Sequence, residues 1–163
     1  MKRGNITVLY IEDNPIDAEL FIKSLESIEG NKISIIVAED LTTAHEVGDC
    51  DVILLDLHLV ESIGTDTVEK CRKGYPQKPI VVLTKIKDPI TQADCMKAGA
   101  NYYFCKGEQD LAVIHRAIEA AVVGHMNRMA LEEEVNVTQK YVSKHEETLT
   151  IVRDRLTELL RRL

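Results

Sequence analysis

The sequence lacks most of the short motifs that announce a function. It has no C-x-x-C pair, no histidine near a cysteine at metal-ligand spacing, no Gly-rich phosphate loop and no Ser/His/Asp pattern. Its four cysteines, Cys50, Cys71, Cys95 and Cys105, are scattered, which argues against a zinc ribbon and for buried, reduced thiols. A reducing cytoplasm is the compartment this implies. No apolar run is long enough to span a bilayer, and Met1-Lys2-Arg3-Gly4-Asn5 leads straight into a strand pattern without a signal peptide, so no membrane role is expected. Basic residues are outnumbered, 20 Lys and Arg against 27 Asp and Glu, and the net charge of -7 argues against nucleic acid as a direct partner, which needs a clustered basic face. What remains is 163 residues, 45% hydrophobic and 29% charged: enough for one full core and an appendage.

The chain alternates strand and helix patterns. Ile6–Ile11 is an apolar, β-branched run closed by Glu12-Asp13-Asn14-Pro15, in which Asn14 can cap a helix and Pro15 can occupy its first turn. Ile16, Leu20, Phe21, Leu25 and Ile28 follow helical spacing until Gly30-Asn31. Ile33–Val37 reads as a second strand, Leu41–Val47 as a short helix, and Asp51–Leu55 as a third strand ending at Asp56. A loop over Leu57–Ile63 precedes a helix from about Gly64 to Arg72. Pro79–Thr84, a helix from Asp88-Pro89 to near Gly99, and Asn101–Cys105 complete five strands. A last helix begins near Gln109 and meets no proline before Leu163. Such alternation calls for an α/β fold: a doubly wound, flavodoxin-like parallel sheet of five strands in the order 2-1-3-4-5.

In that order the carboxyl ends of strands one, three, four and five lie side by side at the topological switch point. They deliver Glu12-Asp13, Asp56, Thr84 and Lys106. Singly, each has an ordinary reading: a cap, a strand-end threonine, a solvated lysine. Four coincidences at four strand ends are harder to accept. Carboxylates crowded together resist ionising unless a cation sits among them, and an all-oxygen set suits Mg²⁺. A carboxylate is also a poor nucleophile toward an anionic phosphoryl group unless a divalent ion and an ammonium neutralise the repulsion. These parts fit the formation of an aspartyl phosphate on Asp56, with Lys106 supplying the ammonium and Thr84 a hydroxyl.

Val8–Asn14, Asp51–Asp56 followed by Gly64, Ile80–Thr84, and Ala98-Gly99-Ala100-Asn101-Tyr102-Tyr103 running to Lys106 resemble the receiver domain of two-component response regulators, through about Val123. The resemblance implies that Asp56 accepts a phosphoryl group from a histidine kinase or a histidine phosphotransfer protein. It implies Mg²⁺ held by Asp13 and Asp56, with Glu12 helping through water and the His58 backbone carbonyl completing the set. It makes Thr84 and Tyr103 a switch pair, and the protein a regulatory phosphoacceptor that supports its own Mg²⁺-dependent phosphorylation and dephosphorylation, not an enzyme in the usual sense. Three positions depart from the family pattern: Gly107 stands where proline usually follows the lysine, Val60 where proline usually follows the acceptor, and Lys85 where a small residue usually follows the threonine.

The last quarter differs in kind. Leu131, Val135, Thr138, Val142, His145, Leu149, Val152, Leu156, Leu159 and Leu163 recur with alternating steps of four and three. This is a heptad seam, with a at Val135, Val142, Leu149, Leu156 and Leu163, and d at the others. A helix over 124–163 would be ~60 Å long at 1.5 Å per residue, too long to fold back on so small a domain. The expected organisation is therefore a receiver over residues 1–123 and a helical coiled-coil extension over 124–163, forming a parallel homodimer. His145-Glu146 faintly resembles the phosphorylated helix of histidine kinases, but the heptad turns His145 into the seam, where a structural role fits better. Two other functions are compatible with these features: a phosphorylation-independent dimeric scaffold, and the input segment of a larger signalling kinase or cyclase.

Overall fold

The structure is a computed structural model that describes residues 5–162, without the side chain of Leu159. Of the seam positions, Leu163 and the Leu159 side chain thus lie outside the described residues. The chain divides into two units, Met1–His125 and Met126–Leu163.

The first unit is built on β1 (Ile6–Ile11), β2 (Ile33–Ala38), β3 (Val52–Leu55), β4 (Ile80–Thr84) and β5 (Tyr102–Cys105). All pairings are parallel, and the order is β2-β1-β3-β4-β5, as the strand count predicts. Helices α1 (Pro15–Glu26), α2 (Leu41–Ala44), α3 (Thr65–Gly74) and α4 (Pro89–Lys97) fill the crossovers, and α5 (Leu111–Arg161) follows β5. The central strands are apolar throughout because both faces of the sheet are covered. Alternation sorts their side chains into two layers. Leu9, Ile11, Ile53, Leu55, Ile80 and Val82 join Val68 and Cys71 of α3 and Cys95 of α4. Val8, Tyr10, Leu54, Val81 and Leu83 meet Ala18 of α1 and Ile114, Ile118 and Ala121 of α5. Each fully buried Leu or Ile contributes about 1.5–3 kcal/mol of transfer free energy.

Local chemistry sets the helix starts. Asn14 accepts hydrogen bonds from the N–H of Ile16 (3.0 Å) and Asp17 (3.4 Å), with Pro15 in the first turn. Asp40 and Thr43 form a capping box, and Asp88 caps α4 ahead of Pro89. At the amino-terminal ends of β4 and β5, the Arg72 guanidinium donates to four carbonyls: Tyr75 (3.0 Å), Pro76 (3.1 Å), Lys78 (2.7 Å) and Gly99 (2.6 Å).

Three details differ from the sequence reading. The Leu57–Ile63 loop contains a small antiparallel hairpin, His58–Leu59 with Ser62–Ile63. Helix α2 covers only Leu41–Ala44, and turns carry the chain to Val47. On α1, Ile16 (66% exposed) and Leu20 (60%) point outward, while the buried positions are Ala18 and Leu25, with Phe21 packed beside them. The small Ala18 lets the helix approach the sheet, so the buried stripe runs through 18, 21 and 25. Cys50, Cys71 and Cys95 are buried and Cys105 half-buried; all four are free thiols, and burial pushes Cys71 up to about 12.

In the second unit, α5 continues to Arg161. Among its seam positions Leu131, Val135, Val142, Leu149, Val152 and Leu156 range from 48% to 67% exposed in the single chain. His145 lies against Tyr141 with ring centroids 4.2 Å apart and the rings tilted by 35°.

Candidate functional site

The site lies just past the carboxyl ends of β1, β3 and β5. Strand β3 ends in Leu55, and the buried Asp56 follows, its N–H donating to the Ile11 carbonyl (3.0 Å). The Asp56 carboxylate is held from two sides. Its Oδ1 accepts from the N–H of Leu57 (2.7 Å) and of His58 (3.4 Å), and its Oδ2 accepts from Lys106 Nζ (3.0 Å). Strand β1 delivers Glu12, almost fully buried, and the half-buried Asp13. Oxygen atoms of Glu12, Asp13 and Asp56 all lie within 4.8 Å of one another. Three hard oxygen donors at that spacing fit a small divalent cation such as Mg²⁺.

Lys106 reaches in from beyond β5, where its N–H extends the ladder to the Thr84 carbonyl (2.8 Å). Its Nζ also contacts Glu12 Oε2 (2.5 Å) and Asp17 Oδ2 (3.2 Å). Burial alone pulls the ammonium down, but Glu12 and Asp56 outweigh it and hold Lys106 above its usual range. Burial pushes the Glu12 carboxyl up, opposed by Lys106 and by the Tyr10 hydroxyl, while the charge of Asp56 adds to the rise. Gly107 follows with φ +80°, a left-handed conformation that glycine takes without strain.

Thr84 and Tyr103 are near each other but meet on a third residue. The fully buried Thr84 Oγ1 accepts from the Ile86 N–H (3.4 Å), and the Tyr103 hydroxyl donates to the Ile86 carbonyl (2.8 Å). Burial raises Tyr103 to about 12, so the hydroxyl remains a donor at neutral pH. The structure thus gathers Glu12, Asp13, Asp56 and Lys106 around one point and ties Thr84 and Tyr103 to one adjoining loop. His58 contributes its N–H to Asp56, and it pairs with Ile63 in the hairpin.

Two members of the site were not singled out from the sequence. Tyr10 donates its hydroxyl to Glu12 Oε2 (2.9 Å), and burial with the adjacent carboxylate raises its pKa. The i, i+2 spacing along a strand puts both side chains on one face, which is the signal that could have found it. Asp17, in the first turn of α1, accepts from Lys106 and from Lys85 (2.7 Å); Lys85, then Lys106, hold its carboxyl below the usual range against the effect of burial. Lys85 therefore rests on Asp17.

The response regulator receiver domain model matches residues 8–119. The chain is 28% identical over 114 residues to the cell cycle transcriptional regulator CtrA of Caulobacter vibrioides, a match covering 68% of this chain and 49% of that protein. It is 28% identical over 105 residues to the two-component response regulator ARR22 of Arabidopsis thaliana, covering 63% of this chain and 74% of its relative. The chain thus spans about half the length of CtrA. The structure of a CheY-like response regulator receiver domain protein from Methanospirillum hungatei JF-1 shares the fold, with a TM-score of 0.62 at 19% identity over 77% of this chain and 99% of that one. With the predicted sheet order observed and the family's model matched from β1 into α5, the chain belongs to the response regulator receiver domain family.

Proposed function

We propose that this receiver acts in a two-component phosphorelay by accepting a phosphoryl group on Asp56 from a histidine kinase or a histidine phosphotransfer protein. Response regulator receivers are regulatory domains that take phosphoryl groups from histidine kinases and bind Mg²⁺ in an acidic pocket. The observation that carries the reading here is the position of Lys106 Nζ, 3.0 Å from Asp56 Oδ2, above a triad of carboxylates. An Asp56 oxygen forms the new bond to phosphorus as the bond from phosphorus to the donor imidazole nitrogen breaks, and that nitrogen keeps the electron pair. Lys106 offsets the negative charge that two anions bring together. Asp13 and Asp56, with Glu12 through water and the His58 carbonyl, are the groups that would hold Mg²⁺, whose charge lowers the same repulsion. Thr84 donates to the phosphoryl group and Tyr103 changes its exposure in response.

The working organisation is a receiver over residues 1–123 and a coiled-coil extension over 124–163 that pairs in parallel with a second copy. The exposed seam of apolar residues along α5 supports this, since a monomer would leave each of those side chains in water. Free thiols and the absence, among the described residues, of any helix able to cross a membrane fit a cytoplasmic protein. Intact-mass measurement after treatment with Mg²⁺ and a small phosphodonor tests the acceptor: one acid-labile phosphoryl group is expected on the wild type and none on Asp56→Asn. Label on Asp56→Asn would assign the wrong residue, and an unlabelled wild type would leave a phosphorylation-independent scaffold as the function.

A further inference from the structure

The ion pairs around Lys106 contain one that acceptor chemistry alone does not require. Asp17 Oδ2 receives two ammonium groups at once, Lys85 Nζ at 2.7 Å and Lys106 Nζ at 3.2 Å. Lys106 in turn touches Glu12 and Asp56, so Asp17 is a third carboxylate drawing on the lysine that faces the acceptor. Asp17 is half-buried, and Lys85 is well exposed, able to move with little cost. Adding a phosphoryl group to Asp56 adds negative charge beside Lys106. Lys106 must then turn toward that charge, and Asp17 would lose one of its two cations.

We infer that Lys85 is a positioning residue that keeps Asp17 neutralised and so releases Lys106 to the phosphoryl group. This rests on the proposed phosphorylation of Asp56. Without Lys85, Asp17 holds Lys106 more strongly and adds an unpaired negative charge near the arriving phosphoryl group. Both effects oppose the reaction. Lys85 does this through Asp17, without touching the reacting atoms. The same geometry accounts for a long cation at a position where the family usually carries a small residue: Asp17 gives it a partner.

The two roles open to Lys85, indirect through Asp17 or direct on the phosphoryl group, separate in a double-mutant cycle. Lys85→Ala, Asp17→Asn and the double variant of the full chain are compared with wild type in two readouts. One is the rate of labelling by acetyl phosphate at saturating Mg²⁺. The other is the affinity for beryllofluoride, a phosphoryl mimic, with thermal melts confirming that each variant is folded. Lys85→Ala should lose about threefold in both readouts, the size expected for coupling through a partly exposed ion pair. Asp17→Asn should label at least as fast as wild type, and adding Lys85→Ala to it should change nothing further. An equal loss from Lys85→Ala in both backgrounds would overturn the inference in favour of direct contact, and no loss in either would overturn it outright. If wild type takes no label, the acceptor assignment falls and the inference with it; if wild type labels but the cycle shows no coupling, only the inference falls.

Discussion

The two units of this chain treat their apolar residues in opposite ways. In the receiver, Val8–Ile11 and Val52–Leu55 are completely buried, because helices from the same chain cover both faces of the sheet. Along α5 beyond Met126, leucines and valines at heptad spacing stand 48% to 67% exposed. The same side chains, with the same cost of contact with water, have found cover in one unit and not in the other. Burial in the receiver is completed within one chain; for the seam, the proposed pairing with a second copy would supply the cover.

That contrast can be attacked in several ways. The largest effect should fall on the receiver alone. Asp56→Asn should eliminate phosphoryl labelling, read by intact mass, yet leave the sedimentation behaviour of the protein unchanged. Loss of the dimer in that variant would mean the two regions are not separable. Removing the seam is the reciprocal experiment: the full chain should sediment as a dimer, and a chain ending at Val123 mainly as a monomer that still labels on Asp56. A Leu156→Cys variant should cross-link to its own counterpart, since a parallel, in-register pair brings identical seam positions together. A stable dimer that fails to cross-link there would be antiparallel.

Point changes sharpen the difference further. Leu54→Ala in the middle of β3 should cost about 2–5 kcal/mol in urea denaturation, independent of protein concentration, because it opens a cavity in a closed core. Leu149→Ala removes about 1.5–3 kcal/mol of burial per side chain, but only from the paired state. Its effect should appear as a concentration-dependent shift in the dimer equilibrium and vanish where the protein is monomeric. A concentration-independent loss of similar size would show that Leu149 is buried within one chain.

The smallest expected effect is acid sensitivity at Asp17. Its carboxyl is held below its unfolded value, chiefly by Lys85. It therefore contributes stability that is present above the unfolded pKa of 3.8 and lost as pH falls through the lower folded value. Asp17→Asn should flatten the acid limb of the stability curve below about pH 4, measured by thermal melts across that range, with no change near neutrality attributable to titration. An unchanged acid limb would mean the ion pairs contribute nothing in solution.

How far the sequence was legible follows from the length and regularity of each signal. Strand runs such as Val52–Leu55 are unbroken and apolar, and five strands with intervening helices leave few sheet orders, so the order could be stated in advance. The 58–63 hairpin has two residues per strand, too few to show a period of two. On α1 the large residues suggested a stripe through Ile16 and Leu20, but the approach to the sheet is set by the small Ala18. Glu12, Asp13, Asp56 and Lys106 were legible because strand ends converge by topology. Tyr10 was legible only through its i, i+2 spacing to Glu12, and Asp17 not at all, since only the folded backbone brings a residue within α1 to Lys106.

The Arg72 guanidinium, with its four carbonyls, divides the sheet into two chemically unlike poles. At the carboxyl pole the side chains can gain or lose charge and exchange partners. At the amino pole a cation that does not titrate in any accessible pH range holds neutral backbone groups in a fixed fan. The four acceptors are backbone carbonyls that do not titrate, and they tie the loops entering β4 and β5 together. The groups that carry charge in the site at one end take no part in that anchor at the other.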